Sequence, residues 1–443
     1  FFMPLSNLTA VNIVQSLKKG EFTCEELVTN YIDHINKYEK NVEAWEFFDE
    51  TLILKQAKKL DQDHQLGKVQ GDLHGVPVGI KDIFDTGDMP TTDGTEIHKE
   101  NPSWNDCTVV SKLKQAGAII MGKTVTTELA YYSPGKTKNP HDPTRTPGGS
   151  SSGSAAAVAS HMVPLAIGSQ TNGSVIRPAS FCGVVGYKPT KGLISRHLVL
   201  QISRALDQIG VFSNTIEDAA LISEQLFGYD KQDPDTSISA KPKLLVASKQ
   251  KPPMEPLFAY IKLPFMNELD DNTKEVFDEL KDRLKGRVDE IELPEGFNGI
   301  PSWHKIIMES DMARSFSIEY TKSKDKLSDT IIETIERGQK YTAVEYNDAL
   351  SKIDVANSYF NQFFYDYDAI LTPSAVGEAP KGLTFTGNPI FSTIWTYCGM
   401  PCISLPLLSG RNGLPIGVQL VSSLFDDERL FRNASWLTKK IKK

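Results

Sequence analysis

Hydrophobic residues recur at helical intervals near the start of the chain. Apolar residues spaced three or four positions apart on one helical face are Leu27, Val28, Tyr31, Ile32 and Ile35. This period predicts an amphipathic helix. Just before it, Thr23 and Glu26 have the spacing of a capping box, in which each side chain accepts a backbone N–H at the helix start. The sequence therefore predicts a helix that begins directly after Thr23.

The next segments alternate between strand and helix patterns. In "GVPVGIKD" the residues Val76, Val78 and Ile80 alternate as in a strand, and Lys81 follows at its carboxyl end. The segment "CTVVSKLKQAG" is typical of a helix that ends at Gly117, and "AIIMG" is typical of the next strand. Strand, helix and strand in this order predict a crossover unit of an α/β sheet.

The region from about 230 to 365 differs in composition from the rest of the chain. It is rich in Lys, Asp and Glu, and segments such as "DNTKEVFDELKDRLK" have the pattern of helices with a solvated face. The strand-like runs "DAILTP" and "GLPIGVQLVS" follow it. We therefore expect one domain over residues 1–443, in which this region is a helical insertion that shapes a substrate pocket.

Composition restricts the partners of the protein. The 443 residues are 40% hydrophobic and 23% charged, which is typical of a soluble globular protein. A net charge of −8 argues against direct binding of nucleic acid, because phosphates require a basic surface. Residues 155–176 contain no Asp, Glu, Lys or Arg and are about as long as a membrane-spanning helix. Several polar residues and Pro164 interrupt this stretch, so we do not expect it to span a membrane. The segment "FFMPLSNLTA" lacks the order of a signal peptide, and we expect a cytoplasmic protein.

The cysteines do not predict a disulfide framework or a metal site. Five scattered cysteines in a long chain are typical of a reducing compartment. Cys398 and Cys402 have the form of half a zinc site, but no second cysteine or histidine pair completes it. We expect neither a metal nor a cofactor.

A glycine–serine stretch, "RTPGGSSSGSAAAVASHM", spans residues 145–162. A flexible linker would continue into polar sequence, whereas this stretch continues into "AAAVAS", a good helix former. A stiff approach, a tight glycine turn and a helix start favour a loop whose backbone N–H groups can bind an anion or a polar group. From these features alone, a functional loop and a plain turn are equally compatible with the stretch.

A second serine loop decides between these interpretations. In "IGSQTNGSVIRPASFCG" the residue Ser174 follows an apolar strand and a Gly/Asn turn. With "GVPVGIKD" and "PGGSSSGSAAAVA", this loop resembles the amidase signature family of serine hydrolases. Further similar segments are "MGKTVTTELA", "FCGVVGYKPTKG", "LDQIGVFSNTIEDAALI", "DAILTPS" and "GLPIGVQLVSSLFDDERLF". The resemblance covers the chain except the insertion, and it implies a single-domain α/β fold with a large mixed β-sheet covered by helices on both faces.

The resemblance also implies a catalytic triad. It assigns the nucleophile to Ser174, the bridging serine to Ser150 and the general base to Lys81, with a cis peptide bond between Gly149 and Ser150. The oxyanion hole would consist of the backbone N–H groups of Thr171, Asn172, Gly173 and Ser174. A serine hydroxyl requires a base within hydrogen-bond reach, and a lysine acts as a base only when burial has lowered its pKa enough to leave it neutral.

The nucleophile loop departs from the family in two places. Many members have Asp-Thr-Gly-Gly before the nucleophile, whereas this chain has Gln170, Thr171, Asn172 and Gly173. Asn tolerates unusual backbone angles, so the turn can persist. Arg177 follows Ser174 by three residues instead of two. These departures leave the chemistry intact and the substrate open.

Other residues near these motifs have plainer interpretations. A Ser-His-Asp hydrolase would require His74 or His161 as its base, but no GxSxG motif accompanies either one, so packed or surface histidines are favoured. Cys182 is interpreted as a small core residue and not as a nucleophile. Asp207 is a candidate support for the serine loops or a turn cap, and Arg145 orients the glycine loop or forms a surface ion pair.

Three functions remain compatible with the sequence. The first is a stand-alone amidase that hydrolyses a small-molecule carboxamide to a carboxylic acid and an amine or ammonia through an acyl-enzyme. The second is the glutaminase subunit of a tRNA-dependent amidotransferase, which would act with a partner protein. The third, a silent binding member, is disfavoured because all three triad residues are present. We expect the stand-alone enzyme, either monomeric or a homo-oligomer. Trp303, Met308 and Phe316 are candidates either for the pocket wall or for packing in the core.

Overall fold

A large mixed β-sheet runs through the protein. The computed structural model describes residues 5–68, 71–99 and 103–442, so residues 1–4, 69–70, 100–102 and 443 of the predicted domain lie outside the described residues. The strands are β1 (Trp45–Phe48), β2 (Pro77–Lys81), β3 (Ile119–Thr124), β4 (Leu165–Gln170), β5 (Val185–Lys188), β6 (Gln208–Ser213), β7 (Phe258–Lys262), β8 (Val288–Glu292), β9 (Ala369–Pro373), β10 (Cys402–Ser409) and β11 (Pro415–Val421). In the described residues they form one sheet in the order β1-β3-β2-β4-β6-β5-β10-β11-β9-β7-β8.

Helices flank this sheet. They are α1 (Ala10–Lys19), α2 (Cys24–Val42), α3 (Glu50–Gln65), α4 (Thr108–Gln115), α5 (Ser152–Ala159), α6 (Ile176–Cys182), α7 (Ile216–Leu226), α8 (Leu244–Lys249), α9 (Asp271–Arg283), α10 (Ile300–Ser315), α11 (Ser317–Ser323), α12 (Asp329–Gly338), α13 (Ala343–Phe363), α14 (Ile390–Tyr397) and α15 (Asp427–Ile441). The α/β fold with a large mixed sheet flanked by helices is therefore confirmed. None of the helices in the described ranges is long and apolar enough to cross a membrane.

The early elements match the sequence pattern closely. Helix α2 begins directly after Thr23, and both hydrogen bonds of the capping box with Glu26 are present. Strands β2 and β3 are parallel neighbours joined through α4. Helix α4 ends just before Gly117, whose φ of +87° is unfavourable for residues with a side chain. Local pattern was sufficient here because the two helices each bury one face, while the two strands are short apolar runs that are buried along their whole length.

The region 230–365 contains more than helices. It holds α8 to α13, but also β7 and β8, which pair in parallel and extend the same sheet at one end. The charged composition of this region predicted helices and not these strands. Strand β8, "VDEIE", is an edge strand with several exposed carboxylates, so its apolar signal is weak. The region therefore contributes two strands to the sheet as well as a set of helices.

The centre of the sheet positions the motifs found in the sequence. Strands β2 and β4 are parallel neighbours, with Ile80 opposite Ile167. Because parallel strands end at the same edge, Lys81 and the loop after β4 lie together. Helix α5, which starts from the glycine–serine stretch, packs against both strands. Three distant segments of the chain thus meet at one edge.

Gly153 allows α5 to approach this edge, and its replacement is our first prediction. A Cβ at Gly153 would lie 2.3 Å from the carbonyl oxygen of Ala44 and 2.4 Å from the backbone N of Val125. We expect Gly153→Ala to reduce the free energy of unfolding by about 1–3 kcal/mol, as overpacking against backbone does. Thermal or denaturant unfolding measures this loss. Gly296→Ala is the matched control, since nothing lies within 4 Å of a Cβ there, and equal unfolding curves for the two variants would contradict the prediction.

Candidate active site

Lys81 is buried at the end of β2, between two serine hydroxyls. Its side chain is fully inaccessible to solvent. The Nζ atom lies 2.7 Å from Ser150 Oγ and 2.9 Å from Ser169 Oγ. Burial lowers the pKa of Lys81 to about 7, while the nearby charge of Asp207 acts in the opposite direction. Near neutral pH a large share of this amine is therefore uncharged and able to accept a proton.

Ser150 sits in the turn that leads into α5. The peptide bond between Gly149 and Ser150 is cis, as the resemblance implied. The Ser150 carbonyl accepts a hydrogen bond from the Thr127 N–H at 3.2 Å. Ser152 Oγ donates to the Gly148 carbonyl at 2.9 Å. The glycine–serine stretch is thus an ordered, buried turn and not a flexible linker.

Ser174 lies in the loop between β4 and α6, and the side chain of Gln170 organises that loop. Gln170 Oε1 accepts the backbone N–H groups of Val175 at 2.8 Å and Ile176 at 3.0 Å, so it satisfies donors at the start of α6. Ser174 itself is 8% exposed. Gln170, which departs from the Asp of many family members, therefore caps the helix that follows the candidate nucleophile.

The Asn172 side chain is held on the outer side of this loop. Its Nδ2 donates to the hydroxyl of Tyr132 at 3.1 Å, and its Oδ1 accepts from Thr393 Oγ1 at 2.7 Å. These bonds hold the Asn172 side chain in the wall of the pocket that is described below. The Asn at this position therefore contributes a polar side chain to that wall.

Asp207 supports the loop through Thr171. One carboxylate oxygen accepts from Thr171 Oγ1 at 2.7 Å, and the other accepts the backbone N–H groups of Ile202 and Ser203. Burial raises the pKa of Asp207 to about 6. Arg145 lies farther away, where its side chain binds Asp142 and the Ala379 carbonyl.

Arg177 is a buried cation next to the candidate triad. Its Nη2 donates to the Gly149 carbonyl at 2.6 Å and to Thr386 Oγ1 at 3.3 Å. Its Nε and Nη1 have no hydrogen-bond partner among the described residues. Burial lowers the pKa of Arg177 to about 10, which still leaves it protonated at neutral pH. A protonated guanidinium with two unpartnered donors in a buried position is suited to bind an anionic group.

The alternative nucleophile, Cys182, and the alternative bases, His74 and His161, make their contacts outside the candidate triad. Buried His74 lies 3.8 Å from the Cys24 sulfur, and His161 is in the turn that follows α5. Burial lowers the pKa of both histidines. Cys182 is buried, donates to the Pro147 carbonyl and has a pKa that burial raises well above its usual value. Within the described ranges, no group of three or more His, Cys, Asp or Glu side chains is arranged to hold a metal ion.

A pocket of about 580 Å³ opens beside Asn172. Its wall includes aromatic, charged, polar and apolar side chains from the loops and from α10, α12 and α14: Tyr131, Tyr132, His304, Lys305, Met308, Glu309, Glu333, Arg337, Phe385, Ile390 and Thr393. Of the three pocket residues expected from the sequence, Met308 lines it. Trp303 and Phe316 follow the alternative expectation, that of packing: Trp303 lies near Tyr397 and beneath Lys352, and Phe316 is buried just past the end of α10.

Several residues that contact the candidate triad or its loop were not predicted from the sequence. Ser169 contacts Lys81, His304 contacts the nucleophile loop, and Thr396 bonds to Gln170 and to the Asn172 carbonyl. Ser169 alone carried a signal, because it lies in the strand that leads to the loop. His304 and Thr396 are far away in sequence, so only the tertiary structure brings them together with it.

Comparison with known proteins agrees with this architecture. A family model described as Amidase matches residues 26–431. The chain is 32% identical to a Glutamyl-tRNA(Gln) amidotransferase subunit of Natranaerobius thermophilus, over 98% of this chain and 95% of that protein. It is 35% identical to the corresponding subunit of Gloeothece citriformis, over 95% of each chain. The crystal structure of the corresponding subunit from Thermotoga maritima superposes with a TM-score of 0.81, at 30% identity over 98% of this chain and 95% of that one. The protein is therefore a member of the amidase family.

Proposed function

We propose that this protein hydrolyses a carboxamide through an acyl-enzyme on Ser174, with Ser150 and Lys81 as the proton relay. The observation that carries this proposal is the buried Lys81 amine, whose Nζ lies 2.7 Å from Ser150 Oγ at a pKa of about 7. An uncharged lysine held against a hydroxyl is a competent general base.

The reaction follows from these groups. Ser174 Oγ attacks the amide carbon, and its proton passes through Ser150 to Lys81. The carbonyl oxygen becomes an oxyanion, which the backbone N–H groups of residues 171–174 stabilise. When the C–N bond breaks, Ser150 returns a proton to the leaving nitrogen. Water then attacks the acyl-Ser174 ester by the same relay and releases the carboxylic acid.

Arg177 supports a substrate that carries a carboxylate. Its two unpartnered donors lie in a buried position, and its Nη2 binds the carbonyl of Gly149, the residue before Ser150. A substrate carboxylate would pair with this cation close to the reacting bond. Glutamine and the monoamides of dicarboxylic acids carry a carboxylate as well as the carboxamide, whereas simple aliphatic amides have no carboxylate.

Of the two enzymatic alternatives, the relatives favour the amidotransferase component. Full-length similarity to the Glutamyl-tRNA(Gln) amidotransferase chains, at 32% and 35% identity, supports glutamine as the amide and a partner protein as the acceptor of ammonia. The stand-alone amidase is the second candidate, and the departures of the nucleophile loop at Gln170 and Arg177 from the pattern of many family members support it.

The nucleophile assignment predicts one labelled serine. We expect Ser174→Ala to lower amide turnover by about a thousandfold or more, as removal of a nucleophile that acts within a unit does. It should also abolish labelling by a fluorophosphonate, measured by mass spectrometry of the modified peptide. Wild-type label on Ser150 or Cys182 would overturn the assignment.

The base assignment predicts how kcat/KM depends on pH. Because the folded pKa of Lys81 is about 7, protonation removes the base below that pH, so kcat/KM should rise with pH through about 7 and then level off. Asp207 raises the pKa of Lys81 through its charge. Asp207→Asn should therefore move the rise to lower pH, while His74→Ala and His161→Ala should retain it.

Lys81→Ala supplies the decisive comparison for the base. It should remove most turnover of amides and spare more of the turnover of activated esters, because an amine leaving group requires the proton that Lys81 accepted. The lysine mechanism is excluded if either histidine variant abolishes the rise with pH while Lys81→Ala retains near-normal amide turnover.

The substrate assignment predicts a preference that depends on Arg177. In a panel of glutamine, malonamic and succinamic acids and uncharged amides, kcat/KM should favour the carboxylates by about tenfold or more, as a charge-assisted hydrogen bond would. Arg177→Met should reduce this preference and leave fluorophosphonate labelling of Ser174 in place as a control for folding. An unchanged preference in Arg177→Met would rule out the anion subsite.

A second measurement separates the amidotransferase component from the stand-alone enzyme. Glutamine hydrolysis is assayed with the purified chain alone and with the proteins that co-purify with it. Ammonia release that requires a co-purified partner supports the amidotransferase component. Full turnover of a small amide by the chain alone supports the stand-alone enzyme.

A further inference from the structure

His304 connects the region 230–365 to the nucleophile loop. It lies on α10, is 1% exposed, and its Nε2 is 2.9 Å from the carbonyl oxygen of Thr171. A carbonyl oxygen only accepts, so this nitrogen carries the proton and donates. Burial lowers the pKa of His304 to about 4, so the ring is neutral across the physiological range. The relay of Lys81, Ser150 and Ser174 makes no use of this histidine.

The hydrogen bond from His304 fixes the direction of a neighbouring donor. In a planar trans peptide the C=O and the following N–H point in opposite directions. Holding the Thr171 carbonyl towards α10 therefore holds the Asn172 N–H towards the other side, where the oxyanion hole is proposed. A donor that is already oriented stabilises an oxyanion without reorganisation during the reaction.

A second clamp acts on the next peptide in the same way. Thr396 Oγ1 on α14 donates to the Asn172 carbonyl at 2.5 Å and accepts from Gln170 Nε2 at 2.8 Å. This bond fixes the peptide that bears the Gly173 N–H. Two consecutive peptides of the loop are thus held from outside by side chains of α10 and α14.

We propose that His304 is a positioning residue for the oxyanion hole and that α10 thereby makes the nucleophile loop competent for catalysis. This inference rests on the proposed function, and it adds that the region 230–365 organises the reaction centre as well as the pocket. Its alternative is that His304 only fills the pocket wall.

The proposal is tested by comparing how substitutions at His304 affect kcat, the affinity for a tetrahedral adduct and the affinity for the product. His304→Phe retains a ring and removes the donor, and His304→Gln retains an N–H donor at a similar distance. We expect His304→Phe to lower kcat by about ten- to a hundredfold and to weaken, by a similar factor, an aldehyde inhibitor that forms a tetrahedral adduct with Ser174. Binding of the carboxylic acid product should change less than about threefold, since the product carries no oxyanion of this kind. His304→Gln should recover most of kcat, and His304→Leu replaces the Phe variant if that one does not fold.

Ile307→Val is the matched control on the same helix. Ile307 is fully buried in the core and is absent from the pocket wall described above. This variant should lower the melting temperature slightly and leave kcat and the aldehyde-to-product affinity ratio unchanged. A lowered ratio in Ile307→Val would mean that general loosening of α10 explains the effect, and the proposal would fall.

The remaining outcomes are also decisive. Unchanged kcat and aldehyde affinity in His304→Phe would overturn the proposal, as would equal losses of aldehyde and product binding, which indicate a pocket-filling role. Failure of the proposed function has a different signature, because wild-type protein would then not form the aldehyde adduct on Ser174.

Discussion

The burial of the Lys81 amine is the constraint on which the arrangement of the candidate active site depends. Lys81 loses its hydration at the end of β2, where only Ser150 Oγ and Ser169 Oγ are within hydrogen-bond distance in the described structure. An ammonium in this position lacks a close carboxylate, so the uncharged form is favoured. The turn before α5 and strand β4 each offer a hydroxyl group to the amine. Asp207 acts on it through its charge and accepts a hydrogen bond from Thr171.

The surrounding polar groups form a scaffold that spans the chain. Gln170 caps α6, Thr396 holds Gln170 and the Asn172 carbonyl, and His304 holds the Thr171 carbonyl. These side chains come from β4, α14 and α10, which are far apart in sequence. Because buried polar groups are costly when unpaired, such a network allows one loop conformation in preference to others. A loop built mainly from small residues is thereby made rigid.

Arg177 is the exception within this scaffold. Gln170, Thr396 and His304 each form a hydrogen bond within it, whereas two of the Arg177 nitrogens lack a partner in the described residues. Its third nitrogen binds the Gly149 carbonyl, so the cation is fixed beside the serine turn. Membership of the amidase family accounts for the fold, but the family alone does not choose the amide. Under the proposed function, Arg177, Asn172 and the helices that line the pocket make that choice.

Sequence by itself determined the elements and the chemistry that local signals encode. The capping box at Thr23 and the crossover from β2 through α4 to β3 follow from short-range periodicity. The resemblance to the amidase signature family implied the roles of Lys81, Ser150 and Ser174, because each lies in a short contiguous motif that can be compared directly. The edge strand β8, the position of Trp303 and the contacts of His304, Ser169 and Thr396 came only from the tertiary structure. An edge strand has a weak hydrophobic signal. Which face of α10 lines the pocket depends on the elements that pack against this helix. The hydrogen bond between residues 171 and 304 produces no periodic pattern in either segment.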